Sequence, residues 1–254
     1  MSISKLFDIE GRRALVTGAG RGIGKVIALA LAEAGCDVSI LEVNIDDGKK
    51  TAGEIEKMGR KALAIGADVR KLAEVKEAFA VTAREFGGLD ICVNNAGVSI
   101  HEPAEETSEQ HFDQVLDVNL KGVFLCCQEA ARIMIPQKEG SIINIASMSG
   151  TVANFPQKQA SYNASKAGVV LLTKCLAVEW AQYGIRVNSL SPGYTRTEMT
   201  EAVGHLVPQW EAQIPMNRMA DPKELVGAII YLASSASSYT TGSDMIIDGG
   251  YTAR

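Results

Sequence analysis

A regular alternation of short apolar runs with longer amphipathic stretches most constrains the fold of this chain. The apolar runs are predicted strands at residues 13–17, 37–42, 62–66, 90–94, 141–145, 185–190 and 245–247. The stretches between them are predicted helices at residues 22–34, 46–58, 71–86, 109–135 and 221–234, with another that carries Tyr162 and Lys166 and runs to about Tyr183, where Gly184 ends it. Strands this apolar, connected by helices, are typical of a parallel sheet covered on both faces. We therefore expect an α/β fold of the Rossmann type, with a doubly wound parallel sheet.

The chain has a suitable length for one α/β domain, and nothing divides it. Its 254 residues contain neither an internal repeat nor a linker, so we expect a single domain over residues 1–254. The segment 194–220 departs from the alternation and contains Pro208 and Pro215. It is either a surface excursion or, as we expect, a lid over a site at the carboxyl ends of the strands, where ligands bind in such sheets.

The composition argues against several classes of partner. The formal net charge is -5 and the longest basic runs are pairs, which disfavours nucleic acid or an anionic membrane. No apolar run reaches membrane-spanning length, and the first residues lack the long apolar core of a signal peptide. We therefore expect a cytoplasmic protein whose partner is a small molecule.

The cysteines and histidines show no metal-binding spacing. The five cysteines form no C-x-x-C pair, and most of them fall in apolar runs, as reduced core cysteines do. The three histidines show no H-E-x-x-H spacing. We expect free thiols and no metal site.

A glycine-rich turn joins the first predicted strand to the first predicted helix. Residues 17–24 read Thr-Gly-Ala-Gly-Arg-Gly-Ile-Gly. Glycines at such a turn let the backbone approach a pyrophosphate closely, and the helix N-terminus attracts its charge. Any tight strand-to-helix turn can use glycine, but the position directly after the first strand favours a dinucleotide site.

The end of the second strand carries a residue that would discriminate between NAD and NADP. Glu42 can accept hydrogen bonds from ribose hydroxyls and would repel a 2′-phosphate, which favours NAD. Arg21, inside the glycine turn, would attract that phosphate and favours NADP. Because the charge of Glu42 would face the discriminating atoms directly, we expect NAD as the cofactor.

A tyrosine and a lysine at positions i and i+4 carry the most informative chemistry. Tyr162 and Lys166 would project from one face of a helix. An ammonium beside a phenol lowers the tyrosine pKa from about 10 toward neutrality, which gives a group that can move a proton to or from an alcohol oxygen. Such a pair also arises by chance on helices. Here Ser147 and Ser149 follow a strand upstream, so a hydroxyl can meet Tyr162 at the carboxyl edge of the sheet.

Together the motifs resemble those of the short-chain dehydrogenase/reductase family over nearly the whole chain. The matching motifs are Thr17-Gly18-x-x-x-Gly22-x-Gly24, Asp68-Val69, Asn94-Asn95-Ala96-Gly97, Asn119, a serine after the fifth strand, Tyr162-x-x-x-Lys166 and Pro192-Gly193. The resemblance implies a hydride-transferring enzyme, commonly a homotetramer. It also implies a cofactor half over about residues 1–150 and a catalytic and substrate half over about residues 151–254.

The resemblance implies roles for individual residues. Tyr162 would be the general acid/base, Lys166 would lower its pKa and hold the nicotinamide ribose, and Asn119 would support a water leading to the lysine. Asp68 and Val69 would flank the adenine. The other implied cofactor contacts are Gly18, Arg21, Gly22, Ile23, Gly24, Glu42, Asn95, Ala96, Gly97, Pro192, Gly193 and Thr195.

Two serines compete for the role of orienting the substrate oxygen. Ser147 stands where the family motif after the strand puts it, whereas Ser149 lies at the commoner interval before Tyr162. Because the segment 151–157 looks slightly lengthened, we expect Ser147 to hold the oxygen and steady its developing charge.

Narrower features resemble bacterial and fungal polyol dehydrogenases. They are Ala146-Ser147-Met148-Ser149-Gly150, Asn154-x-Pro156-Gln157 and the ending Asp248-Gly249-Gly250-Tyr251-Thr252. This resemblance implies that a secondary alcohol, most often a polyol, is interconverted with its ketone. One alternative is a 3-oxoacyl-[acyl-carrier-protein] reductase using NADPH, which Glu42 and the negative net charge disfavour. Another is a cofactor-binding scaffold without catalysis, which the complete set of implied catalytic residues disfavours.

Overall fold

A computed structural model describes residues 2–254 and contains one seven-stranded sheet. Its strands are β1 Arg13–Thr17, β2 Asp37–Glu42, β3 Ala62–Gly66, β4 Ile91–Asn94, β5 Gly140–Ile145, β6 Ile185–Pro192 and β7 Asp244–Ile247. Their order across the sheet is β3-β2-β1-β4-β5-β6-β7, and each neighbouring pair is parallel. The predicted Rossmann-type parallel sheet is confirmed.

Helices cover both faces of this sheet. They are α1 Ile3–Leu6, α2 Gly22–Glu33, α3 Ile45–Lys57, α4 Leu72–Phe86, α5 Glu109–Leu116, α6 Gly122–Gln137, α7 Ala160–Trp180, α8 Glu198–Glu201, α9 Val207–Gln213 and α10 Val226–Ala233. One apolar cluster packs α4, α6 and α7 against the sheet, and a second packs α2, α3 and α10 against the other face. The strands between the two clusters are buried on both sides, which accounts for their nearly continuous apolar sequence.

The helix ends that bear on the site follow known capping chemistry. After α7 a 3-10 turn leads to Gly184, whose φ of 75° is the left-handed conformation that glycine adopts most easily. Before α10 a 3-10 turn begins at Asp221, which forms a capping box with Glu224. The predicted helix end near Gly184 and the predicted helix start at residue 221 agree with these caps.

Two elements differ from the sequence prediction. The stretch 109–135 is not one helix, because a π-helical turn at Asp117–Lys121 separates α5 from α6. Its single extra residue does not disturb the apolar spacing enough to be predicted. β6 was predicted to end at residue 190 but continues to Pro192, which pairs with Ile247. A proline fits there because it is the last residue of the strand, and the next N–H, that of Gly193, donates to the Ile247 carbonyl.

The strand order positions a crevice at the carboxyl edge of the sheet. The connection after β1 leads towards β2, whereas the connection after β4 leads to β5 on the opposite side. Loops that diverge in this way open a crevice between them, where ligands of such sheets bind. Within residues 2–254, no helix is long and apolar enough to cross a membrane. In the same residues, no group of three or more His, Cys, Asp or Glu side chains could hold a metal ion.

Candidate active site

The glycine-rich turn borders the crevice between β1 and α2. Gly18 and Gly22 have φ values of 63° and 55°, which glycine adopts without strain. A Cβ on Gly18 would lie 2.8 Å from the Cα of Ala96, and one on Gly24 would overlap the Gly18 carbonyl oxygen. Ile23 anchors the turn by packing against the apolar cluster below α2. Backbone and helix N-terminus thus reach the crevice without intervening side chains, and these residues fit the pyrophosphate of a dinucleotide.

The loop after β4 holds the glycine-rich turn in place. The Asn95 side chain donates to the carbonyl oxygens of Thr17 and Gly18, both at 3.0 Å. The Thr17 hydroxyl accepts from the backbone N–H groups of Asn95 and Ala96, at 2.9 and 3.0 Å. Asn95 therefore fixes the conformation of the glycine-rich turn, and it affects the cofactor site through that turn.

Glu42 lies at the end of β2 with its carboxylate directed to the glycine-rich turn. Its Oε2 accepts from the N–H of Gly20 at 2.9 Å, and its Oε1 accepts from the N–H of Asn44 at 3.2 Å. Each oxygen retains another lone pair, so the carboxylate can accept from a ribose hydroxyl while it holds the turn. Arg21 is exposed, and its side chain makes no capping hydrogen bond at the start of α2. The Glu42 carboxylate is thus held by two backbone N–H groups, whereas the Arg21 side chain is exposed to solvent.

Asp68 and Val69 follow β3 at the far side of the crevice. The Asp68 carboxylate accepts from the Arg70 guanidinium, with the shortest distance 2.6 Å, and this pairing lowers the pKa of the carboxyl group. Val69 is 7% exposed and packs against Gly122, where a Cβ would lie 2.8 Å from Val69 Cγ2. An ionised carboxylate beside an apolar wall can flank a flat base with polar edge groups.

Asn119, Lys166 and Gly97 converge behind the crevice. A Cβ on Gly97 would lie 3.4 Å from Asn119 Oδ1 and 3.7 Å from Lys166 Nζ. Asn119, fully buried in the π-helical turn, exchanges two hydrogen bonds with the Val98 backbone at 2.8 and 2.9 Å. It also donates to the Ser165 hydroxyl at 3.1 Å. The absence of a side chain at Gly97 leaves space in front of the amide and the amine.

Tyr162 and Lys166 lie on one face of α7, as predicted, but the expected effect of the lysine on the tyrosine is wrong for the protein alone. Lys166 Nζ donates to the Ile145 carbonyl oxygen at 2.8 Å and lies 5.6 Å from the centroid of the Tyr162 ring. Burial lowers the pKa of Lys166 to about 8. Burial also raises the pKa of the Tyr162 phenol, against the smaller opposing effect of the nearby Ser147 hydroxyl. The amine is directed at a carbonyl group rather than the phenol, so desolvation dominates both pKa values.

Ser147 is the serine that lies beside the phenol. Its hydroxyl opposes the rise in the Tyr162 pKa and accepts from the backbone N–H of Ser149 at 3.1 Å. The Ser149 hydroxyl instead accepts from the Gln159 side chain at 3.3 Å. Of the two serines left open by the sequence, the geometry brings Ser147 to Tyr162.

The end of β6 forms the remaining wall of the crevice. A Cβ on Gly193 would lie 2.6 Å from the Cα of Asp248, because the chain after Pro192 runs directly against the loop after β7. Thr195 is 3% exposed, and its hydroxyl donates to the Gly193 carbonyl oxygen at 3.1 Å. These residues therefore present closely packed backbone, rather than long side chains, to the crevice.

The segment 194–220 forms a small apolar cluster together with Met148 and Tyr251. Trp210 is 2% exposed and stacks on Tyr194, with ring centroids 4.4 Å apart. The Trp210 Nε1 donates to Gln157 Oε1 at 2.9 Å, and Gln157 Nε2 donates to the Tyr194 hydroxyl at 2.8 Å. Gln157 thereby fastens this segment to the loop between β5 and α7.

The same segment also reaches the glycine-rich turn. Thr197 and Glu198 lie 3.6 Å from the position that a Cβ on Gly22 would occupy. The segment 194–220 thus contacts both the turn that would hold the cofactor and the loop that carries the serines, which is the placement expected of a lid.

Sequence reasoning missed a group of four polar residues beside Tyr162. Gln159 is 8% exposed, and its Nε2 lies 3.3 Å from Ser149 Oγ, 3.1 Å from Asn154 Oδ1 and 2.9 Å from Asn163 Oδ1. Asn154 Nδ2 in turn lies 3.3 Å from the Tyr194 hydroxyl. We refer to Ser149, Asn154, Gln159 and Asn163 as the amide cluster. The density of Asn and Gln between residues 154 and 163 was the signal available for it.

The arrangement is suited to proton transfer at an alcohol or carbonyl oxygen. The Ser147 hydroxyl and the Tyr162 phenol can bond one such oxygen together, with Lys166 behind them. The amide cluster adjoins this pair with several hydrogen-bonding groups, and the crevice beside it fits a dinucleotide.

Comparisons with known sequences agree with this geometry. A family model described as "Enoyl-(Acyl carrier protein) reductase" matches residues 18–252. The D-arabinitol 2-dehydrogenase [ribulose-forming] of Scheffersomyces stipitis is 44% identical, over 96% of this chain and 95% of that protein. The galactitol 2-dehydrogenase of Rhizobium johnstonii is 41% identical, over 99% of each protein.

Solved structures resemble the whole chain as closely. A short-chain type dehydrogenase/reductase from Mycobacterium marinum has 48% sequence identity and a TM-score of 0.98, and the match covers 100% of both chains. A gluconate 5-dehydrogenase from Burkholderia cenocepacia, solved in complex with NADP and tartrate, has 37% identity and a TM-score of 0.94 over 98% of both chains.

Proposed function

The chain belongs to the short-chain dehydrogenase/reductase family and is an alcohol dehydrogenase/reductase, and on that premise we propose that it interconverts a polyol and its ketose with NAD. The observation that carries the proposal is the Ser147–Tyr162 pair with the amide cluster beside it. A polyol presents a hydroxyl on each carbon next to the reacting one, and amides and hydroxyls are the groups that bind such oxygens. Relatives named for D-arabinitol and galactitol support the same substrate class.

In the proposed oxidation, Tyr162 accepts the hydroxyl proton of the alcohol once its phenol has ionised, which the raised pKa of the phenol favours at alkaline pH, and Ser147 donates a hydrogen bond to the same oxygen. A bound nicotinamide supplies the acceptor for the hydride that leaves the alcohol carbon as its C=O double bond forms. Lys166 supplies an ammonium group below its pKa of about 8, while Asn119 holds the Val98 backbone at 2.8 Å and so fixes the wall beside it. Reduction of a ketose runs these steps in reverse.

The cofactor assignment within this proposal depends on Glu42. Its carboxylate is held at the mouth of the crevice by the N–H groups of Gly20 and Asn44. A 2′-phosphate brought there would meet this negative charge, whereas a ribose hydroxyl would find an acceptor. The exposed Arg21 offers the opposite preference, and a relative in this family was solved in complex with NADP.

The proposal extends to the organisation of the protein. Residues 1–150 would bind the cofactor, residues 151–254 would bind the substrate, and the segment 194–220 would close over both. Leu171 and Val178, 64% and 81% exposed on α7, are apolar surface of the kind that subunit contacts cover, which supports a homotetramer. A cytoplasmic location is supported by free thiols at all five cysteines, four of them buried.

A substrate panel tests the proposed function. Purified protein is given D-arabinitol, galactitol, sorbitol, mannitol or a simple secondary alcohol with NAD or NADP, and formation of reduced cofactor is followed by absorbance. We expect the largest kcat/KM for a polyol with NAD. The proposal fails if no polyol is oxidised but an acetoacetyl thioester is reduced with NADPH, which would assign the chain to acyl reduction.

A further inference from the structure

Gln159 occupies a position that the proposed reaction does not yet explain. It directly precedes α7, and its backbone carbonyl accepts from the N–H of Asn163 at 3.1 Å, so it is rigidly connected to the helix that carries Tyr162. Its side chain is almost fully buried and points into a polar group of residues rather than into the core. A buried amide is stable only where its donors and acceptor find partners.

The partners of Gln159 come from the loop after β5 and from α7. Its Nε2 lies near Ser149 and Asn154 in that loop, and near Asn163 on α7. One side chain therefore joins the loop that carries Ser147 to the helix that carries Tyr162.

The number of protons on this amide limits how the hydrogen bonds are shared. An amide nitrogen has two protons, whereas three acceptors lie within hydrogen-bonding distance of Gln159 Nε2. Asn154 Oδ1 also accepts from Asn163 Nδ2 at 3.2 Å. It is therefore the acceptor that depends least on Gln159, and the two protons are available for Ser149 and Asn163.

This sharing determines the direction of the Ser149 hydroxyl. Ser149 Oγ accepts from Gln159, and among residues 2–254 its own proton is donated to no protein acceptor. The Ser149 N–H meanwhile donates to Ser147 Oγ, so the two hydroxyls are adjacent at the site. Ser149 is thus a donor held next to the group that would bind the reacting oxygen.

We propose that Gln159 is a positioning residue for substrate selection: it orients the Ser149 hydroxyl to donate to the hydroxyl group on the carbon next to the reacting carbon. This inference rests on the proposed polyol dehydrogenase function and deepens it. A vicinal diol would bond both serines, with its reacting oxygen on Ser147 and its neighbouring oxygen on Ser149. A monoalcohol would leave the Ser149 donor without a partner, and an unpaired polar group in a closed site costs binding free energy.

The test compares Gln159→Glu with wild type on 2,3-butanediol, 2-butanol and D-arabinitol. A carboxylate at this position can only accept, so it captures the Ser149 proton and turns the hydroxyl away from the substrate. We expect kcat/KM for the diol and for D-arabinitol to fall at least about tenfold, mainly through KM, with kcat changed less than about threefold. Turnover of 2-butanol, where measurable, should change less than about threefold.

Three controls separate positioning from a structural role. Gln137→Glu alters a glutamine that bonds the Leu89 backbone at the opposite end of β4, and it should leave the KM for D-arabinitol unchanged. Gln159→Leu removes the donor without adding charge and should also raise the KM for D-arabinitol. It provides the test if Gln159→Glu folds poorly. In a double-mutant cycle, Ser149→Ala and Gln159→Glu should not be additive, because one acts through the other.

The possible results separate a failure of the inference about Gln159 from a failure of the proposed function. Equal losses of kcat and kcat/KM on every alcohol, additive effects of the two variants, or a KM for D-arabinitol within about threefold of wild type in both Gln159 variants would overturn the inference alone. A wild-type protein that oxidises neither diol nor polyol would overturn the proposed function and this inference with it.

Discussion

At the scale of single residues, the Glu42 carboxylate can both hold the glycine-rich turn in its conformation and select between NAD and NADP. Its oxygens accept from Gly20 and Asn44 and so fix the glycine-rich turn. The charge that remains would repel a 2′-phosphate at the same place. Removing the whole side chain would disturb both functions, so a test of selectivity must keep the hydrogen bond to Gly20.

Glu42→Gln meets this condition, because the amide oxygen can still accept from Gly20 while the charge is lost. We expect the ratio of kcat/KM with NAD to that with NADP to fall at least about tenfold, since one unit charge near a phosphate at a protein surface is worth roughly 1.4 kcal/mol or more. Asp46→Asn removes an exposed charge from the start of α3 and should leave this ratio nearly unchanged. An unaltered ratio in Glu42→Gln would instead assign cofactor choice to Arg21.

Burial of Lys166 lowers the free energy of unfolding at neutral pH. The residue is only 3% exposed, and burial lowers its pKa from 10.5 to about 8. Below pH 8 the folded and unfolded states both bind the proton, and the folded state bears the full desolvation cost, about 3 kcal/mol from this shift. Between pH 8 and 10.5 the folded state loses the proton first, so the unfolded state binds more protons and the free energy of unfolding rises with pH.

Lys166→Met should therefore lose this rise. Denaturant unfolding of wild type and variant across pH 7 to 10.5, at equal protein concentration, should show the wild type gaining stability relative to the variant as the pH increases. Parallel pH profiles for the two proteins would mean that the lysine titrates alike in both states.

At the scale of elements, Trp210 and Tyr194 fasten the segment 194–220 to the loop between β5 and α7. Their rings stack within the segment, and Trp210 Nε1 donates to Gln157. Gln157 belongs to the loop between β5 and α7, from which Asn154 of the amide cluster also bonds the Tyr194 hydroxyl at 3.3 Å. Closure of the segment and the geometry of the amide cluster are therefore linked through Tyr194.

Trp210→Phe would keep an aromatic ring on Tyr194 and remove the donor to Gln157. The buried acceptor left behind costs about 1–3 kcal/mol, so we expect a KM for the alcohol several-fold higher with kcat little changed. Trp180→Phe, at the end of α7, is the matched control and should behave as wild type. Because the chain has two tryptophans, that control also leaves Trp210 as the one indole reporter of ligand binding. Identical KM values in both variants would contradict a role for the segment as a lid.

At the scale of the whole molecule, the apolar runs were sufficient to predict the sheet. β1, β2 and β3 begin and end at the predicted residues, because strands buried on both faces leave an uninterrupted apolar signal. The π-helical turn and the continuation of β6 to Pro192 were not predictable, because each depends on how the element packs against its neighbours.

The candidate site was predictable where one segment carries the chemistry. Tyr162 and Lys166 share a helix, so their spacing predicts a common face. The tyrosine pKa was predicted wrongly, because desolvation and the Lys166–Ile145 hydrogen bond arise only in the folded chain. The amide cluster lies within residues 149–163, but its hydrogen bonds depend on how the loop after β5 folds against the start of α7, which the sequence does not show.

The central claim is that Tyr162 transfers the proton in an NAD-linked alcohol oxidation. The most direct measurement is NADH formation from D-arabinitol by wild type and Tyr162→Phe, with NADH binding followed by fluorescence in the same preparations. The variant lacks the acid/base but keeps the ring, so we expect kcat to fall by about a thousandfold or more, with the dissociation constant for NADH within about threefold. Turnover of the variant within tenfold of wild type would contradict the account.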